Sequence, residues 1–165
     1  MATIAVAPAA PVSVQAQSAR IVEAGAGTYT AEFTLPVGGK LIDIIVTAEA
    51  LWTAATSAAL IVGDADDDDG FIASTDLKAT DLLANESIAL GGLETAGGKL
   101  GAYATVGTTT HMTHRAAEEL GAGATAGSGN RKVIAKIVSV GAGTAGRTVV
   151  TVVYAAAGAG TPVGL

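Results

Sequence analysis

A chain of 165 residues is long enough for one domain with a substantial core, and here half of the residues are hydrophobic while only 15% are charged, against about 25% charged in an average soluble domain. With no cysteine, disulfides and thiolate metal sites are excluded. A net charge of −6, from 15 acidic and 9 basic residues, excludes the broad basic face that a general nucleic-acid binder needs.

The surplus of the composition is Ala and Gly, and only 4% of residues are aromatic. Small side chains make thin cores and flat surfaces, and a surface with few charges has little to hold neighbouring copies apart. That composition suits a protein largely covered by other subunits. No segment approaches the roughly 20 uninterrupted apolar residues of a membrane helix, so no membrane partner is expected.

Residues 1–18, MATIAVAPAAPVSVQAQS, contain no charged side chain. Pro8 and Pro11 favour an extended arm without a partner strand in its own domain. The expected resting place of this arm is a neighbouring subunit, with Ile4, Val6, Pro8, Pro11 and Val12 as contacts. The same prolines, and the lack of Lys or Arg before Arg20, argue against a secretory signal. Residues 19–165 are read as a single domain.

Thr28 to Leu35 alternates, with Tyr29, Ala31, Phe33 and Leu35 on one face, as a half-buried strand does. Leu41 to Thr47 is apolar on both faces, Leu41 and Ile45 pointing one way and Ile42, Ile44 and Val46 the other. Both faces want cover, and Ile42, Ile44 and Val46 are assigned to an interface. Trp52 follows as a lid over one end of the core and as a further interface candidate. Ala58 to Val62 reads as the next strand, ended by Gly63.

That strand empties into Asp64-Ala65-Asp66-Asp67-Asp68-Asp69-Gly70, five carboxylates in six residues. Such a cluster cannot be buried together and reads as a solvated loop. Aligned to an EF-hand by Gly70, the loop puts Ala65, which has no side-chain oxygen, at the first position and the short Asp76 at the twelfth. The EF-hand reading fails on these details. A looser Ca²⁺ set drawn from Asp64, Asp66, Asp67, Asp68 and Asp69 stays open beside the plain solvated turn.

Ser74 to Leu83 reads as one or two helical turns with Leu77 and Leu82 facing inward. Asn85 to Gly98 is a loop with a short strand near Ile88, and Lys99 to Val106 alternates like a strand. His114 to Leu120 reads as a short helix stopped by Gly121. Arg131 to Val140 and Arg147 to Tyr154 are Val- and Ile-rich and read as a hairpin across Gly141 to Gly146. Seven or eight strands, short connections and little helix define an all-β chain, an antiparallel β-sandwich or jelly roll with an extended N-terminal arm.

Catalytic signatures are missing. His111 and His114 form an H-x-x-H pair without a third ligand, and a zinc site needs at least three. There is no G-x-S-x-G, and the glycine runs lack the lysine and strand-to-helix setting of a phosphate loop. The expectation is a protein that is not an enzyme.

LIDIIVTAEALW, the strand ending in VGDA, the turn running into DGFIASTDL, and the pair RKVIAKIVSVGAGTAGRTVVTVVYA resemble, in this order, a family of small virion proteins of tailed bacteriophages, of the minor capsid, head decoration or head fibre type. The resemblance covers roughly Thr28 to Ala155 as an order of elements. It implies a decoration (cement) protein, bound as a homotrimer to the major capsid protein on the outer surface of the head. The negative charge favours that outer surface over the DNA-lined interior. The alternative is a surface- or carbohydrate-binding module, a fibre head or Ca²⁺-dependent adhesin, working through the acidic loop.

Overall fold

The structure is a computed structural model that describes residues 12–36, 39–78, 80–90, 99, 101–106, 109–110 and 132–157. Its long strands are β1 (Val12–Val22), β2 (Gly27–Thr34), β3 (Lys40–Ala50), β4 (Ser57–Gly63), β5 (Ile72–Asp76), β6 (Ser87–Ala89), β9 (Lys132–Val140) and β10 (Arg147–Ala157). Between β6 and β9 come a 3-10 turn at Ala102–Ala104 and a two-residue ladder of β7 (Thr105–Val106) with β8 (Thr109–Thr110). No α-helix occurs among the described residues.

The long strands form two four-stranded antiparallel sheets, ordered β1-β10-β3-β6 and β2-β9-β4-β5. Consecutive strands alternate between the sheets except at β4 and β5, the order of a jelly roll with its two interlocked Greek keys. The expected all-β sandwich is therefore present, and of the two architectures left open it is the jelly roll.

Each strand gives alternate side chains to the space between the sheets, as the two-residue period requires. Val133, Ala135 and Ile137 of β9 and Ala58, Leu60 and Val62 of β4 face Ile44, Val46 and Ala48 of β3 and Val150 and Val152 of β10, all fully buried. Trp52 closes one end of this core. Its indole N–H donates to Thr148 Oγ1 at 2.9 Å, and Tyr29 packs edge-on against it at 5.2 Å. Gly146 lies so close that an added Cβ would sit 2.5 Å from the indole Cγ.

Several expectations are corrected here. The hairpin of the last two long strands does not form, because β9 pairs with β2 and β4 whereas β10 pairs with β1 and β3. Both strands bury one face, and the Gly141–Gly146 loop carries the chain across the core from one sheet to the other. Ile44 and Val46 are not interface residues but fully buried core, and Trp52, 2% exposed, is buried within its own chain. The register explains the first two. Val153 faces Asp43 and Tyr154 faces Leu41, so Ile42 is the extra residue of a bulge. Leu41 is thereby brought to the same inner face as Ile44 and Val46, and Ile42 is left half-buried.

The arm is corrected over its last residues. Val12 to Ser18 lie in β1, paired in register with β10 from Val12↔Ala157 to Ser18↔Thr151. The valines and β-branched partner strand outweigh the extended, partnerless reading. Residues 1–11, with Ile4, Val6, Pro8 and Pro11, lie outside the described residues, as do His111, His114 and the short helix expected at residues 114–120.

The helical turns expected at Ser74 to Leu83 are replaced by β5 and a turn. Asp76 accepts from the backbone N–H groups of Lys78 and Thr80 and from the Thr80 hydroxyl, and Asp81 accepts from the Asp76 N–H at 2.6 Å. These side-chain acceptors satisfy the backbone locally and offer it an alternative to a helix. Leu77 and Leu82 are nevertheless buried, as their spacing suggested. The strand expected at Lys99 to Val106 shrinks to β7 and the 3-10 turn before it.

The core assignment of Ile44 gives a direct check. Ile44→Ala should lower the unfolding free energy by about 2–5 kcal/mol in urea titrations and leave self-association unchanged. A loss of association without a loss of stability would return Ile44 to an interface.

Candidate functional site

β4 runs between the two ends of the sandwich, and each end carries a carboxylate-centred loop structure. At the end where β4 stops, the acidic loop turns tightly. An added Cβ on Gly63 would lie 2.0 Å from the Asp67 carbonyl oxygen, so only glycine lets the loop close this far. Asp64 is only 2% exposed. Its Oδ1 accepts from the N–H groups of Asp66 at 3.0 Å and Asp67 at 3.1 Å, and from the Tyr103 hydroxyl at 2.8 Å. Tyr103 is in turn held edge-on against Phe71 at 5.2 Å. One of the five carboxylates is thus a buried clamp, not a solvated group.

The other four divide further. Asp68 pairs with Lys136 of β9 at 2.5 Å. Asp67, Asp68 and Asp69 can bring one carboxylate oxygen each within 4.8 Å of one another. A hydrogen bond that the neutral carboxyl donates to Asp67, then burial, then the charges of Asp67 and Asp68 push the Asp69 carboxyl above the usual aspartate value. Of the set that the sequence offers for Ca²⁺, the structure therefore gathers Asp67, Asp68 and Asp69, exposes Asp66, and commits Asp64 to the turn. Bound through one oxygen each, three carboxylates provide at most half of the six to eight oxygens that Ca²⁺ takes. Beside them lies a pocket of about 480 Å³ lined by Asp64 to Asp68 with Ile134 and Lys136.

At the opposite end the sequence reading missed the central residue, Glu23. It is 2% exposed and sits where the β1–β2, β3–β4 and β9–β10 connections meet. Its Oε2 accepts from Thr53 N–H and Thr53 Oγ1, each at 2.9 Å, from Gly146 N–H at 3.0 Å and from Ala145 N–H at 3.2 Å. Oε1 is buried under Gly143, where an added Cβ would stand 2.2 Å away, and has no hydrogen-bond partner among the described residues. Burial pushes this carboxyl up, but the backbone N–H groups of Thr53, Gly146 and Ala145 and the Thr53 hydroxyl together outweigh it and hold the group below the usual glutamate value. The only sequence signal for Glu23 is a lone acid before the small residues Ala24 to Gly27.

The outward sheet faces carry few charges. On the β1 sheet the outward rows run Ala16, Val153, Asp43 and Ser18, Thr151, Ile45, with Val14 beside Ala155. Val12 and Val14 are 66% and 68% exposed, the most exposed large hydrophobic side chains among the described residues. Arg20 of β1 reaches across β10 to Glu49 at 2.6 Å. On the other sheet Val138 and Val140 of β9 face outward at 40% and 45% exposure. Of the expected interface set, Val12 is thus at the surface, Ile42 is half-buried, and the rest are core or undescribed.

No protein-family model matches the chain, and no curated protein matches it in sequence. Among solved structures it is similar to a chain of the capsid asymmetric unit of cyanophage Pam1, with 19% identity and a TM-score of 0.44 over 94% of this chain and 91% of that one. It is also similar to a chain of the acid-stable capsid of Helicobacter pylori bacteriophage KHP30, with 12% identity and a TM-score of 0.40 over 85% of this chain and 94% of that one.

Glu23 makes a pH-dependent contribution whose sign is fixed. Its folded pKa lies below the unfolded one, so its stabilisation is complete above the ordinary glutamate value of about 4.3 and is lost as pH falls through the folded value. Glu23→Gln places an amide among N–H donors and should cost about 1–3 kcal/mol at pH 7. In denaturant titrations from pH 7 to pH 3 the difference from the parent protein should shrink; a difference independent of pH would show that the charge of Glu23 is not what holds the loops.

Proposed function

We propose that the protein is a non-enzymatic structural component of a tailed-phage particle, a decoration protein that binds the outer surface of the assembled head. The observation that carries this reading is the pairing of a complete, well-filled core with outward faces of Val, Ala and Thr that carry few charges. A molecule made to stay single keeps large apolar patches off its surface. This chain leaves Val12 and Val14 exposed at the edge of one sheet and Val138 and Val140 exposed on the outer face of the other. The motif order resembling tailed-phage virion proteins, and a net charge of −6 that disfavours a DNA-lined interior, support the same reading.

The mechanism is interfacial burial. A rigid jelly roll, as a homotrimer, spans several copies of the major capsid protein and opposes their separation under internal pressure. A standard interface buries on the order of 1,600 Å² in total, and attachment at several points turns modest contacts into near-permanent binding. The fold provides the rigidity: Glu23 ties three connections together at one end, and Asp64 with Tyr103 ties the loop at the other.

Purified heads lacking the protein, incubated with it and sedimented, should carry it down in hundreds of copies per particle by quantitative mass spectrometry. A protein that remains in the supernatant, or that occurs in only a few copies in native particles, would refute the decoration reading.

A further inference from the structure

We propose that the outer edge of β1, which no described strand covers, receives residues 1–11 of a neighbouring copy as an added strand, so that copies join head to tail. This deepens the reading above by naming what covers one surface, and rests on it for the expectation that copies associate.

The four terminal strands of the two large sheets are unequal receptors. β6 has 3 residues, β5 has 5, β2 has 8 and β1 has 11. Natural sheets blunt their edges with short strands, bulges, prolines or charges, because unpaired N–H and C=O groups invite another strand. β1 has only one of these devices, a single charge. Its register with β10 is unbroken from Val12↔Ala157 to Val22↔Arg147, and it contains no proline. Its single charged side chain, Arg20, is drawn away from the edge by Glu49, two strands in. The flank of that edge also carries Val12 and Val14.

The occupant is indicated by what precedes Val12. Residues 1–11 are without charged side chains, and Thr3-Ile4-Ala5-Val6 has the β-branched composition of a strand. Ala7 and Ala10 each precede a proline, which disfavours the helical region and drives them extended. The sequence thereby favours an extended stretch over a helix. Eleven residues reach at most about 36–40 Å, comparable to the edge itself. Pairing by main-chain hydrogen bonds, with Ile4 and Val6 laid beside Val12 and Val14, is strand addition. An arm on one side and an edge on the other make a heterologous contact, the kind that closes into rings such as a trimer.

The test uses two full-length double variants, Ile4→Asp with Val6→Asp in the arm, and Val12→Asp with Val14→Asp at the edge. Val12 and Val14 lie outside the buried core, and circular dichroism with thermal melting confirms that each variant folds; Lys at the same positions serves as a second pair. By light scattering the parent should be an oligomer, each variant alone a monomer of 16.0 kDa, and an equimolar mixture should regain a species containing both chains. That rescue follows only if arm and edge are two different surfaces that meet. A monomeric parent, variants that stay assembled, or a mixture without rescue would overturn the proposal. The readout needs no capsid: a ring that ignores capsids defeats the decoration reading alone, and a monomer that binds them defeats this proposal alone.

Discussion

The alternation of side chains along a strand governs this molecule. Two sheets stacked face to face need one apolar face each, and the chain supplies it with Ile, Leu, Val and a single Trp. Where the period of two does not suit the sequence, the backbone adjusts. The bulge at Ile42 moves Leu41 onto the inner face, and a second register shift between Arg147 and Thr148 lets β3 bend past Glu49. The remaining half of every strand must then face outward. In most domains that half is charged; here it is largely Val, Ala, Thr and Ser. The charges that remain on those faces, Arg20 with Glu49 and Lys132 with Glu32 among them, are paired with one another.

The connections turn that sandwich into a rigid block. Glu23 is a buried carboxylate with no cation paired to it among the described residues, held instead by backbone N–H groups from two other segments. Its hydrogen bonds lock three connections that would otherwise be glycine- and alanine-rich and free to move. At the other end Asp64 organises the acidic loop in the same manner, a carboxylate used as a structural acceptor. Rigidity matters to a bridging subunit because contacts at several points add only if the body between them does not flex.

The sequence showed the strands and hid their partners. Alternation in Thr28 to Leu35 and the Val- and Ile-rich ends placed β2, β9 and β10, and Gly63 and Gly70 bounded the acidic loop. Pairing was less legible, because a six-residue glycine loop serves equally well for a hairpin or for a crossing between sheets. Only the strands that each one pairs with distinguish them, β2 and β4 for β9 and β1 and β3 for β10, and those are distant in sequence. The side assigned to Ile44 and Val46 failed for a related reason, since a bulge has no local signature beyond the strand it interrupts. Glu23 was invisible because its donors come from Thr53 and Ala145–Gly146, far away in sequence.

The central claim is that this jelly roll is completed by its neighbours, and hydrogen exchange of the assembled parent protein tests it most directly. The account predicts that the β1 amides facing away from β10 exchange as slowly as those of β9, which lies inside the other sheet. Rapid exchange of those amides, at the rate of the surface loops, while β9 stays protected, would contradict it.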